Sequence, residues 1–228
     1  MSRSGGRAAP DLAQLLDQVG RDRPLPADGA VTVLSGPGGT AVAAVLGFTA
    51  HHVIAADVDQ DWLMSTLGRA EMSRPMKPNF LTALGVQLEA EAGGQDVLMV
   101  GEGTDQVLGS DLIRDAENPA AVDHHRVERA LRYRDNVRIA VAPGGLLTVG
   151  QGLAGRWEIS LEVDEAGRGS GIGRALARHG RTLVPGGALL WAQVHPANVA
   201  SMRVFLAAGY RPVGAEVLFT RAHLASSP

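Results

Sequence analysis

An α/β fold is predicted for this 228-residue chain by three successive stretches of its C-terminal half. Residues 157–163 alternate apolar and polar side chains with the period of two that a half-buried strand requires. A loop with glycines at every second position, 167–173, follows and leads into an apolar stripe at helical spacing from Ile172. Residues 188–194 are then largely apolar, as in a buried strand. Strand, helix and strand in succession indicate helices packed on a sheet.

The glycine-rich loop has the outline of a phosphate-binding site. Glycines let a backbone approach a ligand closely, and the free N–H groups at a helix start attract anions. The loop is no P-loop, because the Gly-Lys-Ser/Thr sequence is missing. It also fails the Gly-x-Gly-x-x-Gly dinucleotide pattern, because the sixth position counted from Gly169 or Gly171 is Arg174 or Leu176.

A different pattern, Val-x-x-x-x-Arg-x-x-Gly-x-Gly, is matched by Val163, Arg168, Gly171 and Gly173. It resembles the pyrophosphate-binding motif of the GNAT superfamily of acyl-CoA N-acyltransferases. A second signature of that superfamily is an Asn that opens a helix ending in Gly-aromatic. The residues that resemble it follow downstream in the right order: Asn198, Ser201, Phe205 and Gly209-Tyr210.

The resemblance implies a GNAT-like fold, a mixed central sheet flanked by helices, over residues 95–222. We predict a flexible N-terminal arm over 1–29, a small α+β subdomain over 30–94 and a tail over 223–228. The subdomain lies outside the resemblance, and we expect it either to line the acceptor cleft or to form a homodimer contact.

Finer expectations concern the elements outside the two motifs. The glycine cluster at 35–40 reads as a hairpin turn between strands 31–34 and 41–48. Residues 105–116 are expected to be helical, and 210–220 to form a final hairpin.

The resemblance further implies acetyl-CoA as the acyl donor. Backbone groups along the strand would pair with the pantetheine amides, and the loop N–H groups would hold the pyrophosphate. The implied cofactor-binding residues are Leu161, Val163, Arg168, Gly169, Ser170, Gly171, Gly173, Arg174, Asn198 and Phe205.

The implied reaction is direct attack of an amine on the thioester. An ammonium with a pKa near 10 must first lose a proton. Glu158 is our first candidate for the general base, Glu162 shares its face of the strand, and His195 is in reserve as base or acid. The alternative is that both glutamates pair with arginines.

One position departs from the superfamily pattern. A tyrosine commonly stands seven residues after the Asn as general acid, and here that position is Phe205, which has no proton to give. Tyr210, His195 or water could replace it. A non-catalytic acyl-CoA-binding or partner-binding module therefore stays open as the alternative function, as does an unrelated nucleotide-binding α/β protein.

Composition narrows the function classes. Residues 1–120 carry a net charge of −8 and residues 121–228 a net charge of +5, which suits a phosphate-rich ligand but is no nucleic-acid footprint. The absence of cysteine excludes disulfides, cysteine nucleophiles and Cys-based metal sites. We expect a cytoplasmic protein that uses no metal, does not bind membranes, and acts on a small-molecule or peptide amine.

Overall fold

The computed structural model describes residues 10–38, 40–68, 74–106 and 111–221. These residues form one eleven-stranded mixed sheet with helices on both faces, which confirms the predicted fold class. The strands are β1 (Val31–Leu34), β2 (Ala41–Phe48), β3 (His51–Ala56), β4 (Glu91–Ala92), β5 (Asp96–Glu102), β6 (Arg114–Asp115), β7 (Asp135–Ala142), β8 (Gly145–Gln151), β9 (Trp157–Val163), β10 (Leu189–Val194) and β11 (Arg211–Thr220). The α-helices are α1 (Leu12–Gly20), α2 (Gln60–Leu67), α3 (Pro78–Leu88), α4 (His125–Tyr133), α5 (Ile172–Gly180) and α6 (Val199–Ala207). Within the described ranges no helix is both long and apolar enough to cross a bilayer.

The strand order is β1-β3-β2-β11-β5-β10-β9-β8-β7-β6, with β4 pairing on β11 off this path. The pairs β1–β3 and β9–β10 are parallel, and the remaining pairs are antiparallel. The strands of the predicted 30–94 subdomain therefore continue the C-terminal sheet through the β2–β11 pairing.

The predicted hairpin between β1 and β2 is wrong. β1 pairs in parallel with β3, and β3 forms the hairpin with β2 through Thr49 and Ala50. All six residues of β3 are buried, and β3 has β1 on one edge and β2 on the other. The chain does reverse direction between β1 and β2, but local composition cannot say which strand each one pairs with.

The predicted final hairpin over 210–220 is also wrong, because β11 runs unbroken with a bulge between Pro212 and Gly214. Both edges of β11 are occupied, by β5 and β2, so the chain bulges where it was expected to turn. A Cβ at Gly214 would lie 2.5 Å from the Gly47 carbonyl oxygen, which explains the glycine there.

The helix expected at 105–116 is not observed in residues 105–106 and 111–116, which the structure describes. Residues 107–110 lie outside the described ranges, and Arg114–Asp115 is the edge strand β6, which pairs with β7. Among the residues of this segment that the structure describes, three are aspartates and only Ile113 is buried, so these residues offer no apolar helical face to pack.

Helices cover the two faces of the sheet in different places. The side of the sheet that packs against α5 and α6, called the α5 face, receives Trp157, Ile159, Leu161 and Val163 from β9. The opposite side, called the α4 face, carries α4 over β7 and β8, and α1 over β5 and β10.

The predicted N-terminal arm contains the helix α1, which begins at an Asp11 capping box. Four of its apolar residues are buried: Leu12, Leu15, Leu16 and Val19. The three leucines pack in one cluster with side chains of the sheet, so α1 holds this part of the arm on the domain. Residues 1–9 of the arm and 223–228 of the predicted tail lie outside the described ranges.

Candidate functional site

The parallel strands β9 and β10 separate after three residue pairs. Their register runs from Leu190 opposite Trp157 to Ala192 opposite Ile159 and stops there. β9 continues to Val163 on its other edge, where it still pairs with β8. The last residues of β9 therefore present an open edge to the gap beside β10, where backbone groups are available for a ligand.

A cavity of about 840 Å³ lies beside this open edge. The end of β9, the glycine-rich loop, the start of α5 and one side of α6 enclose it. Its lining residues are Arg126, Leu161, Glu162, Val163, Gly167, Arg168, Gly169, Gly171, Gly173, Arg174, Asn198, Ala200, Ser201, Arg203, Val204 and Ala207.

The glycine-rich loop turns β9 into α5 and leaves helix N–H groups facing outward. Gly169 and Gly171 have φ of +78° and +86°, a region that favours glycine. The N-cap residue, Gly171, has no side chain to cap α5, and only the Ile172 N–H has a side-chain acceptor, the Ser170 hydroxyl at 3.4 Å. The following N–H groups of the first turn have no acceptor within the helix. Gly173 is buried, and a Cβ there would lie 3.3 Å from Val163 and Val204, so glycine keeps the helix close to both. The loop fits an anionic ligand.

The charges around the cavity are mainly positive. Four arginines line it, and its one acidic residue, Glu162, accepts a hydrogen bond from Arg126. Arg168 and Arg174 are exposed at the loop, and Arg203 projects from α6. Such a set suits a ligand that carries phosphates at one end.

Eight of the ten residues expected to bind the cofactor line this one cavity: Leu161, Val163, Arg168, Gly169, Gly171, Gly173, Arg174 and Asn198. Asn198 also caps α6, its side chain accepting a hydrogen bond from the Ser201 N–H at 3.0 Å. Ser170 and Phe205 are not in the lining. The Ser170 hydroxyl donates to the Gly167 carbonyl at 2.6 Å, and Phe205 is buried in the core against Tyr210.

Sequence reasoning missed several lining residues. Ala200, Arg203, Val204 and Ala207 share one side of α6 at helical spacing, a signal that follows once Asn198 is placed at the helix start. Arg126 comes from α4, and no local pattern connects it with a loop more than forty residues away.

Glu158, the first candidate for the base, lies in a buried ion-pair network. The residue is 6% exposed, and its carboxylate accepts hydrogen bonds from Arg156 at 2.9 Å, from Arg134 at 3.1 Å and from the Leu153 N–H at 3.3 Å. Burial by itself raises the pKa of Glu158, but the two arginines outweigh it and hold the pKa below its usual value. This arrangement matches the alternative in which the glutamate pairs with arginines.

Glu162 lies at the edge of the cavity and is also paired. Its carboxylate accepts a hydrogen bond from Arg126, and His125 Nε2 lies 3.3 Å away. The hydrogen bond from Arg126 is the main cause that lowers the pKa of Glu162. Both glutamates predicted as bases are therefore held as carboxylates by neighbouring cations.

His195 follows the last residue of β10 and is exposed. Its Nδ1 accepts a hydrogen bond from the Ala197 N–H at 3.2 Å. In the neutral ring the proton therefore sits on Nε2, which makes His195 a donor at its free nitrogen.

Tyr210, one of the replacements considered for the general acid, is fixed in the core. It is 2% exposed, and its hydroxyl donates to the Ala177 carbonyl at 3.1 Å. Burial raises the pKa of this hydroxyl far above its usual value. Tyr210 therefore holds α5 and does not face the cavity.

His124, His125 and Glu162 have ligand atoms within 4.8 Å of one another, a spacing that a metal ion could use. His124 Nδ1 already accepts the Arg126 N–H at 3.1 Å, and the Arg126 side chain occupies Glu162. The three residues thus already have partners within α4 and β9. The expectation that the protein uses no metal stays a prediction.

No protein-family model and no curated protein sequence matches this chain. Solved structures similar to it include a GCN5-related N-acetyltransferase from Kribbella flavida, at 14% identity and a TM-score of 0.41, covering 64% of this chain and 65% of that one. A GCN5-related N-acetyltransferase-like protein from Streptococcus suis is 14% identical, with a TM-score of 0.39, over 78% of this chain and 83% of that one. A GCN5-related N-acetyltransferase from Sphaerobacter thermophilus is 15% identical, with a TM-score of 0.38, over 67% and 57%. The chain thus spans less than two thirds of the length of the Kribbella and Sphaerobacter proteins, and at these scores the likeness assigns neither an activity nor a substrate.

Proposed function

We propose that this protein is an N-acetyltransferase that transfers the acetyl group of acetyl-CoA to an amine. The observation that carries the proposal is the basic cavity that joins the start of α5 to the open edge of β9. The N–H groups at the helix start can bind phosphates at one end of a ligand, and the free strand edge can pair with amide groups along its arm.

The residues of the cavity divide between the parts of this ligand. The first-turn N–H groups of α5, with Arg168 and Arg174, would bind the pyrophosphate. The backbone of Leu161 and Val163 would pair with the pantetheine amides, and Asn198 would bound the arm from α6. Residues at the point where β9 and β10 separate, Ile159 and Ala192, would then flank the thioester.

The chemistry proceeds by direct attack. The acceptor ammonium gives up a proton, its nitrogen lone pair forms a bond to the thioester carbonyl carbon, and the C–S bond breaks with its electron pair going to sulfur. The thiolate takes up the second proton that the nitrogen loses, so the products are the amide and coenzyme A. A backbone N–H at the strand separation would stabilise the oxyanion.

A thermal-shift titration with acetyl-CoA, ATP and NAD tests the cofactor assignment. We expect acetyl-CoA alone to raise the melting temperature, and Gly171→Trp to abolish the effect by filling the cavity. Gly29→Trp is the matched control, because Gly29 also has a positive φ and open space but lies at the far edge of the sheet. Absence of any shift at millimolar acetyl-CoA would overturn the proposal.

The second candidate is a protein that binds acyl-CoA without turnover. It is favoured by Phe205, which has no hydroxyl, and by Tyr210, whose hydroxyl is bound in the core. A free-thiol assay with a panel of primary amines separates the two. Release of thiol that depends on the amine supports the enzyme, and binding of acetyl-CoA with no thiol release from any amine supports the alternative.

A further inference from the structure

Beside the strand separation, the α4 face carries a row of polar side chains from three neighbouring strands. We call this row the polar shelf and define it as Gln193 and His195 of the β10 end, Asp96 of β5 and Glu216 of β11. Strand alternation places them on one face, since Gln193 lies two residues after Trp191, and Asp96 is registered opposite Glu216. The shelf is on the side of the sheet opposite α5 and α6.

The buried carboxylate of the shelf is fully paired. Glu216 is 1% exposed and accepts two hydrogen bonds from Arg156, at 2.9 and 2.6 Å, and one from Gln193 at 2.5 Å. Glu158 shares the same Arg156. Both glutamates are paired with Arg156 and almost closed to solvent, so neither is accessible to an amine.

Asp96 differs from both glutamates. Its carboxylate is half-buried and makes no hydrogen bond or ion pair with any described residue. The charged groups that face it are Glu216 from β11, His195 from β10 and Arg129 from α4. Burial, followed by the charge of Glu216, raises the pKa of Asp96, against the smaller opposing effects of His195 and Arg129. An unpaired carboxylate with a raised pKa is suited to take up a proton.

His195 is a second titratable neighbour of Asp96 on the shelf, beside Glu216. A methyl group placed on Gly94 would lie 3.5 Å from His195 Cδ2 and 3.9 Å from Asp96 Oδ1, so one small group would lie within van der Waals distance of both side chains. His195 Nδ1 accepts the Ala197 N–H, so in the neutral ring Nε2 carries the proton and is a donor. Of these two side chains, Asp96 is therefore the one with a free acceptor atom for a proton.

We propose that Asp96 binds the ammonium group of a cationic primary amine acceptor and takes its proton before attack on the thioester. The inference rests on the proposed function. The N–H bond of the ammonium breaks and an O–H bond forms on Asp96, leaving the nitrogen lone pair free to form the C–N bond. The shelf also selects the class of acceptor, since an anionic amine would be repelled by the unpaired carboxylate of Asp96.

Amine binding and turnover in the full chain test this role, with 1,4-diaminobutane as the probe. Asp96→Asn keeps the shape and removes the charge, and Glu102→Gln removes an exposed carboxylate at the other end of β5 as the matched control. Calorimetric titration of the probe onto protein saturated with coenzyme A is expected to show binding at least tenfold weaker in Asp96→Asn and unchanged in Glu102→Gln. Amine-dependent thiol release is expected to fall by at least a hundredfold in Asp96→Asn and to lose the acidic limb of its pH profile.

The outcomes separate this inference from the proposed function. Acetyl-CoA should stabilise the wild type, Asp96→Asn and Glu102→Gln equally. If it does not stabilise the wild type, the proposed function itself is contradicted. If acetyl-CoA stabilises the wild type but the probe does not bind to it, or binds equally to Asp96→Asn, the assignment of Asp96 is overturned while the cofactor site stands.

Discussion

The two faces of β9 have different environments, one beside an open cavity and the other within a closed ion-pair network. On the α5 face its apolar side chains pack against α5, and the strand ends beside an open, basic cavity. On the α4 face Glu158 enters a network with Arg134 and Arg156 that is almost closed to water. The open face leaves donors without partners, and the closed face gives nearly every charge a partner.

This difference indicates which polar groups can bind a ligand or exchange a proton. A ligand competes with water for the exposed arginines of the cavity, but it would have to break several hydrogen bonds to reach Glu158 or Glu216. The presence of a charged residue on a motif strand therefore does not by itself identify a catalytic residue. The pairing state of each carboxylate decides whether it can bind or titrate.

The largest effect is expected when the closed face loses its central cation. Arg156 is buried between Glu158 and Glu216, and burial by itself lowers its pKa while those carboxylates raise it above its usual value. Arg156→Ala leaves both carboxylates buried without their main partner, so we expect a loss of about 3–5 kcal/mol in the free energy of unfolding. Urea denaturation measures it.

The contrasting variant is Arg168→Ala on the open face. Arg168 is exposed, so the same substitution should change the free energy of unfolding by less than about 0.5 kcal/mol. Equal losses in the two variants would remove the distinction between the faces.

An intermediate effect is expected from pH. Because the folded pKa of Glu158 lies below its ordinary value of 4.5, this group stabilises the fold above that pH, and the contribution is lost as pH falls through the folded pKa. Below about pH 4.5 the free energy of unfolding of Glu158→Gln should therefore fall less steeply than that of the wild type, by at most about 1.4 kcal/mol per pH unit. Glu162→Gln, at the exposed cavity edge, should change the slope less. Identical acid profiles for wild type and Glu158→Gln would contradict this account.

The smallest effect is expected from a substitution of Tyr210, and it tests whether this residue acts only within the core. Tyr210→Phe removes the hydrogen bond to the Ala177 carbonyl, and we expect a loss of about 1 kcal/mol measured by urea denaturation. Because the hydroxyl does not face the cavity, the rate of thiol release should stay unchanged. A large fall in that rate with normal stability would show instead that Tyr210 acts on the thioester.

The sequence by itself determined the elements whose signal is local. Alternation over β9, the glycines that require positive φ, and the Asn198 cap are each encoded within a few residues. They suffice to predict the α/β class and eight of the residues that line the cavity.

Only the tertiary structure decided the pairings between distant segments. β5 inserts between β10 and β11, which turns an expected hairpin into one strand and places Asp96 on the polar shelf. The partners of Glu158 come from residues 134 and 156, and that of Glu162 from residue 126. Hydrogen bonding and desolvation depend on neighbours in space, so no local pattern could tell the paired glutamates from the unpaired aspartate.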